Sequence, residues 1–271
     1  MNTIRKKIGL FLLSGCMILL LTGCIFTPEY IEVQVDDAVF AEQYYYQQYT
    51  EEEQLTYREI YQGLLNHSEE FIVHGTDGEK TNDILFTVLY DFPELFWTDG
   101  EVLSTGYEWP ARVVVQPTYV CTKEEREKRE QEVQTEAEKI LGQIEEEASD
   151  YEKIKYIYEC VIEQVTYVED APDNQNMYSA LVRKESVCAG YAKEMQYLLE
   201  QIDIPCIYVI GKATNDEGTD SHAWNIVYCN DAYYHVDATW GDPIFNEDGY
   251  SKFSSFVCVT NNSSSLQHKY S

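Results

Sequence analysis

Ser186-Val187-Cys188-Ala189-Gly190-Tyr191-Ala192 sets a cysteine where a polar segment gives way to an apolar helix. Ala192, Met195, Leu199 and Ile202 recur at the spacing of one helical face. Ser186 is the expected N-cap, which puts Cys188 in the first turn. There the unpaired backbone N–H groups and the positive end of the helix dipole favour a thiolate over a thiol. Ala189 and Gly190 are small enough to let a substrate approach the sulfur. A cysteine alone in such a setting reads more simply as a small buried residue, so its partners decide.

Two partners lie downstream. Residues 221–229 and 232–237 are strand-like runs around Asn230-Asp231, residues that accept the left-handed conformations of a tight hairpin turn. With the turn centred there, His222 falls opposite position 239, and His222 and Asp237 point to one face. Diagonal neighbours on a face are within reach of long side chains. A sulfur nucleophile needs a base to take and return its proton, and the base needs an acceptor that fixes its tautomer. Cys188, His222 and Asp237 offer these in order, and an imidazolium beside the thiol should pull its pKa well below about 8.5. Attack on a carboxamide or peptide carbonyl gives a thioester, which water or an amine resolves. His235 shares the parity of Asp237 and competes as base, although Trp224 is no orienter for it.

Together with Ser221-His222-Ala223-Trp224-Asn225 and Tyr234-His235-Val236-Asp237-Ala238-Thr239-Trp240, the opening motif makes residues 151–260 resemble the transglutaminase-like superfamily. The resemblance implies an α+β fold with a papain-like core, an antiparallel sheet packed against the nucleophile helix. It implies Cys188 as nucleophile, His222 as base and Asp237 as orienter. The oxyanion donors would be the Cys188 backbone N–H and a side chain. Tyr167, which leads into the site, is the candidate, with a structural tyrosine at a helix end as the other reading. Trp224, Trp240 and Tyr191 are candidates for the substrate groove, and core packing is the alternative for the two indoles. Upstream, Asp91-Phe92-Pro93-Glu94-Leu95-Phe96-Trp97 is similar to a stretch preceding this domain in bacterial surface members.

The chain begins with an export signal: basic Arg5, Lys6 and Lys7, then an apolar run over residues 8–21, too short for a comfortable membrane span. Leu21-Thr22-Gly23-Cys24 resembles the bacterial lipobox, which implies removal of residues 1–23 and lipid attachment at Cys24. The globular part is then expected on the extracytoplasmic face of the cell membrane, as it would be with an uncleaved anchor helix. Of the 8 cysteines, Cys16 falls in the signal and Cys24 takes the lipid. Cys121, Cys160, Cys206, Cys229 and Cys258 match neither a CxxC metal pattern nor a small disulfide scaffold. They read as small core residues, although an exported chain could oxidise a pair.

A length of 271 residues, 44% of them hydrophobic, suffices for a sizeable core in two compact parts. Residues 24–49, acidic and aromatic without a period, read as a tether, and residues 50–121 as a small N-terminal α+β domain. Residues 122–148 read as a linking helix with a solvated, charged face, and residues 149–271 as the transglutaminase-like domain. Capping boxes at Thr50/Glu53, Thr122/Glu125 and Ser149/Glu152 mark helix starts. Thr81 opens a further helix that Asp91-Phe92-Pro93 ends. Strands are expected at 71–73, 95–97, 102–105, 112–115, 205–210 and 253–260, and a polar loop at 212–220.

A net charge of −29 argues against nucleic acid as a partner, because phosphates would be repelled over most of the surface. The 23 tyrosines offer broad contact area with polar tips, as surfaces that bind sugars and peptides do. The expected function is thiol acyl chemistry, without a cofactor, on a peptide, protein or cell-wall substrate. The same three residues serve protease, deamidase and cross-linker. A catalytically silent module that binds cell-wall peptide or glycan is the second reading. A metal on Cys188, His222 and Asp237 fits poorly, since no CxxC or HxxxH pair supports it.

Overall fold

The computed structural model describes residues 27–215 and 218–242. The signal, Cys24, Cys258 and the strand expected at 253–260 lie outside the described residues. Thr50 caps α1 (Glu51–Leu65), accepting the Glu53 N–H while the Glu53 carboxylate accepts the cap N–H. After β1 (Phe71–Val73) comes α2 (Gly78–Asp91), which starts earlier than Thr81 because the Asp77 carboxylate accepts the N–H groups of Glu79 and Lys80. Thr81 is instead buried one turn in, its hydroxyl donating to the Asp77 carbonyl at 2.8 Å. Asp91-Phe92-Pro93 ends the helix as expected.

Leu95, Phe96 and Trp97 form a buried turn rather than a strand, each only 2% exposed. The Trp97 indole donates to the Leu64 carbonyl at 3.0 Å and the Arg126 guanidinium lies 3.4 Å over its ring. Such side chains pack singly as knobs, so an apolar run here carries no strand ladder. β2 (Thr98–Glu108) and β3 (Ala111–Tyr119) then make a hairpin, and β1 joins its β3 edge to give an antiparallel sheet β1-β3-β2.

The other two capping boxes also form, starting α3 (Lys123–Leu141) at Thr122 and α4 (Asp150–Gln164) at Ser149. The chain passes through β4 (Thr166–Tyr167), α5 (Met177–Leu181) and β5 (Glu185–Ser186) into α6 (Cys188–Glu200). β4 and β5 pair in parallel. β6 (Cys206–Asn215), β7 (Gly218–Cys229) and β8 (Ala232–Val236) form the antiparallel sheet β6-β7-β8, followed by α7 (Ala238–Gly241). The loop expected at 212–220 is largely paired strand, with Lys212 opposite Ser221 and Asn215 opposite Gly218. Backbone pairing needs no apolar side chains, so a polar sequence extends the hairpin without announcing it.

Residues 27–49 do not form a free tether. Ile31 donates its N–H to the Ile72 carbonyl at 2.9 Å, and Phe40 is fully buried among the rings of Tyr46, Tyr57, Tyr61 and Phe92. The buried Asp91 carboxylate accepts the N–H groups of Tyr45 (3.1 Å) and Tyr46 (3.0 Å) and the Tyr57 hydroxyl (2.7 Å). Tyr45 reaches on to β6, donating its hydroxyl to the Tyr208 carbonyl at 2.8 Å. The α1–α2 interior and the α4–α6 interior form one continuous apolar core, from Tyr57, Leu64 and Leu85 to Ile157, Met195 and Leu198. Cys121, Cys160, Cys188, Cys206 and Cys229 are free thiols.

Candidate active site

Val187 is the residue that enters α6, with no side-chain cap bond, and Cys188 is the first helical residue. Ser186 is not the cap. Its side chain turns inward, 2.7 Å from the Ser179 hydroxyl and donating to the Asn174 carbonyl at 2.7 Å. These bonds pin the strand that delivers the cysteine. The first turn of α6 lies hard against the same cluster: a methyl group at Gly190 would collide with the Ser186 hydroxyl and sit 2.9 Å from the Asn176 carbonyl. Ala189 and Ala192 of the same helix pack against Tyr208 and Ala223 of the sheet. Asn225 of β7 donates its amide to the Ala192 carbonyl at 2.9 Å, locking helix to strand.

The β7–β8 turn has both central residues left-handed, Asn230 at φ 50° and Asp231 at φ 61°, as a two-residue hairpin of this twist requires. Its register is the expected one, Asn225 opposite Val236 and Cys229 opposite Ala232. β8 ends at Val236, and Asp237 becomes the N-cap of α7, its Oδ1 accepting the Trp240 N–H at 3.0 Å. The other oxygen, Oδ2, accepts the His222 Nε2 proton at 2.8 Å. Both side chains are nearly closed to solvent, 8% and 7% exposed. With Nε2 committed, Nδ1 is the nitrogen left for the sulfur, and the Cys188 thiol and His222 ring share a hydrogen bond. The Trp240 indole stacks on His222 with ring centres 5.2 Å apart.

Burial by itself would push the Cys188 thiol up. It is outweighed by the His222 hydrogen bond, the Ala223 N–H, the His222 charge and the Ala189 N–H, which together bring the thiol below its ordinary value. Burial likewise works against a charged His222, but the bonds to Asp237 and Cys188 and their charges raise it to about 9. The two shifts share one cause, since each charge favours the other, and together they move the pair toward thiolate and imidazolium.

The sulfur opens into a groove of about 390 Å3 whose walls include Tyr167, Gln175, Tyr208 and Ile210. Tyr167 is 45% exposed at this groove, and its hydroxyl is held above the ordinary tyrosine range by burial and by the nearby Cys188 charge. Gln175 is not singled out by the sequence: it sits in a polar loop with no pattern, and only the fold brings it to the groove wall, where its amide donates to the Asn174 side-chain oxygen at 3.3 Å. Tyr191 is not a groove residue. It is fully buried, its hydroxyl donating to the Val165 carbonyl at 2.9 Å and lying 2.9 Å from Asp242. Trp224 is also buried, behind the imidazole, and Trp240 covers the ring without lining the groove. His235 Nδ1 accepts the Trp224 indole N–H at 2.9 Å, so that nitrogen is occupied by a neutral donor and His235 is no rival base.

Residues 138–238 match the family model of the transglutaminase-like superfamily. These residues belong to the transglutaminase-like superfamily. The matched span of the transglutaminase-like domain includes Cys188, His222 and Asp237. No curated protein matches the chain. Among solved structures, one described as a TGase is 15% identical with a TM-score of 0.38, over 62% of this chain and 48% of that one. A Cytophaga hutchinsonii protein assigned as a cysteine protease is 18% identical, TM-score 0.35, over 57% of this chain and 65% of that one. The periplasmic domain of TgpA from Pseudomonas aeruginosa is 14% identical, TM-score 0.31, over 48% and 53%. The chain thus spans less than two thirds of each. Among the described residues of the transglutaminase-like domain and its N-terminal part, no cluster of three or more His, Cys, Asp or Glu could hold a metal ion.

Proposed function

We propose that this chain is a cysteine-dependent acyl-transfer enzyme, lipid-anchored at Cys24 on the extracytoplasmic face of the cell membrane. The observation that carries the reading is the shared imidazole, hydrogen-bonded to a thiol at a helix start on one side and to a buried carboxylate on the other. The Cys188 thiolate attacks the carbonyl carbon of a carboxamide or peptide bond. The C–N bond breaks, and the His222 imidazolium gives its proton to the leaving nitrogen. The thioester is then attacked by water or an amine, whose proton His222 takes, releasing acid or a new amide and restoring the thiol. Asp237 holds the ring and balances its charge. The backbone N–H of Cys188 is one oxyanion donor, and the second comes from Tyr167 or Gln175, both on the groove.

Peptide, protein or cell-wall carboxamides are the substrates that suit this chemistry. Iodoacetamide at mildly acidic pH should modify Cys188 before Cys121, Cys160, Cys206 or Cys229, read by peptide mass spectrometry. Uniform labelling would sink the nucleophile. Incubation with an amine-bearing dye and glutamine-rich peptides then separates incorporation from cleavage. If Cys188→Ala keeps both the ligand binding and the phenotype of the parent, a silent binding module replaces the enzyme. Metabolic labelling with an alkyne fatty acid should mark the full chain and be lost in Cys24→Ala.

A further inference from the structure

A second cavity, of about 420 Å3, adjoins the Cys188 groove and shares Gln175, Ala189, Tyr208 and Ile210 with it. Its opposite wall comes from the N-terminal part, through Phe86, Leu89 and Tyr90 of α2. Lys193 enters it from α6, one turn after Ala189 and on the same helical face. The ammonium lies 5.5 Å from the centre of the Tyr208 ring. Burial alone acts on this lysine, lowering it to about 8, and no carboxylate opposes that shift.

The absence of a carboxylate is the unusual fact. The chain has 48 acidic residues against 19 lysines and arginines, yet among the described residues none pairs with Lys193. Of the acids on the cavity, Asp173 is already held by Arg183 at 3.3 Å and Arg129 at 3.9 Å. Asp99 is exposed at the rim, and its Oδ1 accepts the Glu101 N–H at 2.8 Å. The cavity has Phe86, Leu89, Tyr90, Tyr208 and Ile210 on its apolar side and a polar side that includes Asn174 and Asn176, and an ammonium partly desolvated there is costly unless an anion meets it. A ligand that brings its own anion would supply that partner.

We propose that this cavity is a specificity subsite for a carboxylate-bearing residue of the substrate. Lys193 is the specificity-determining residue, and the hydrocarbon part of the acidic residue lies against Tyr90, Tyr208 and Ile210. The inference rests on Cys188 being the nucleophile. Lys193 follows Cys188 by five residues, roughly 7.5 Å along a helix axis. That is about the reach from an attacked carbonyl to the acid of an adjoining residue, given about 3.5 Å per residue of extended chain plus its side chain.

The test uses the full chain and three N-chloroacetyl dipeptides differing at one residue, Glu, Gln or norleucine, with the rate of Cys188 alkylation read by mass spectrometry. The Glu reagent should react at least about tenfold faster than the Gln reagent in the parent, a difference of about 1.4 kcal/mol. That ratio should fall to about one in Lys193→Met and persist in Lys193→Arg. Because each ratio compares two reagents on one protein, altered stability of a variant cancels. In the parent, about 1 M salt should also shrink the ratio, which needs no variant. A Glu-to-Gln ratio near one in the parent, with Cys188 still labelled first by iodoacetamide, overturns the subsite alone. Failure of iodoacetamide to select Cys188 overturns the nucleophile, and the subsite with it.

Discussion

At Cys188, desolvation and hydrogen bonding pull in opposite directions, and the bond to His222 is the largest of the contributions that lower the thiol. His222→Gln should therefore raise the pH at which Cys188 alkylates, since only the Ala223 and Ala189 N–H groups then oppose burial, and slow labelling at pH 6 by more than about tenfold, one pKa unit being about 1.4 kcal/mol. The pH profile of alkylation checks this. Turnover of an amide substrate should decline above about 9, where His222 loses the proton it must give to the leaving nitrogen. Asp237→Asn separates chemistry from folding. Asparagine still caps α7, so stability should hold, while kcat drops by about 10³-fold or more for want of the correct tautomer.

Glu194, also on α6, makes a different kind of statement. It is completely buried, both carboxylate oxygens lack a partner, and the nearby Lys184 ammonium lacks one too. Burial raises Glu194 from 4.5 to about 8, despite the opposing Lys184 charge. Its folded pKa exceeds the unfolded one, so its contribution is intact below pH 4.5 and is lost as pH rises through about 8. Urea midpoints of the parent should fall across that window, and those of Glu194→Gln should stay flatter.

Among the elements, α6 and the β7–β8 hairpin decide whether the sulfur and the imidazole meet. Gly190 lets the first turn of α6 lie on Ser186, Asn176 and Ser179. Alanine has the better helix propensity by about 1 kcal/mol, but its methyl would have to displace a backbone carbonyl and a bonded hydroxyl. Gly190→Ala should cost about 2–3 kcal/mol net in urea unfolding and slow Cys188 alkylation as the turn is pushed off its seat. The hairpin works from the other side. Its left-handed Asn230-Asp231 turn sets a register that brings His222 and Asp237 to one face.

Over the whole molecule, a single core joins the N-terminal part to the transglutaminase-like domain. Asp91 sits at that junction and binds three donors, from Tyr45, Tyr46 and Tyr57. Asp91→Ala leaves the buried Tyr46 and Tyr57 donors unpaired, at about 1–3 kcal/mol each, and the half-buried Tyr45 N–H as well. A large drop in Tm is the expected result in thermal unfolding. Because Tyr45 also bonds the Tyr208 carbonyl, and Tyr208 lines both cavities, Cys188 alkylation by the chloroacetyl peptides should change as well.

Capping boxes at Thr50, Thr122 and Ser149, and the hairpin register that sets His222 beside Asp237, were legible in the sequence because each is settled by residues a few positions apart. A hydroxyl and a carboxylate three residues on close a helix end locally, and two left-handed residues fix every pairing beyond them. Only tertiary structure decided that Ser186 turns inward, that Tyr191 is core, that residues 27–49 are folded down by Asp91, and that Gln175 and Lys193 reach the sulfur's surroundings. Each of these depends on a contact between distant segments, Tyr45 with Asp91 or α6 with α2, and no local period or propensity encodes which distant surface a side chain will meet.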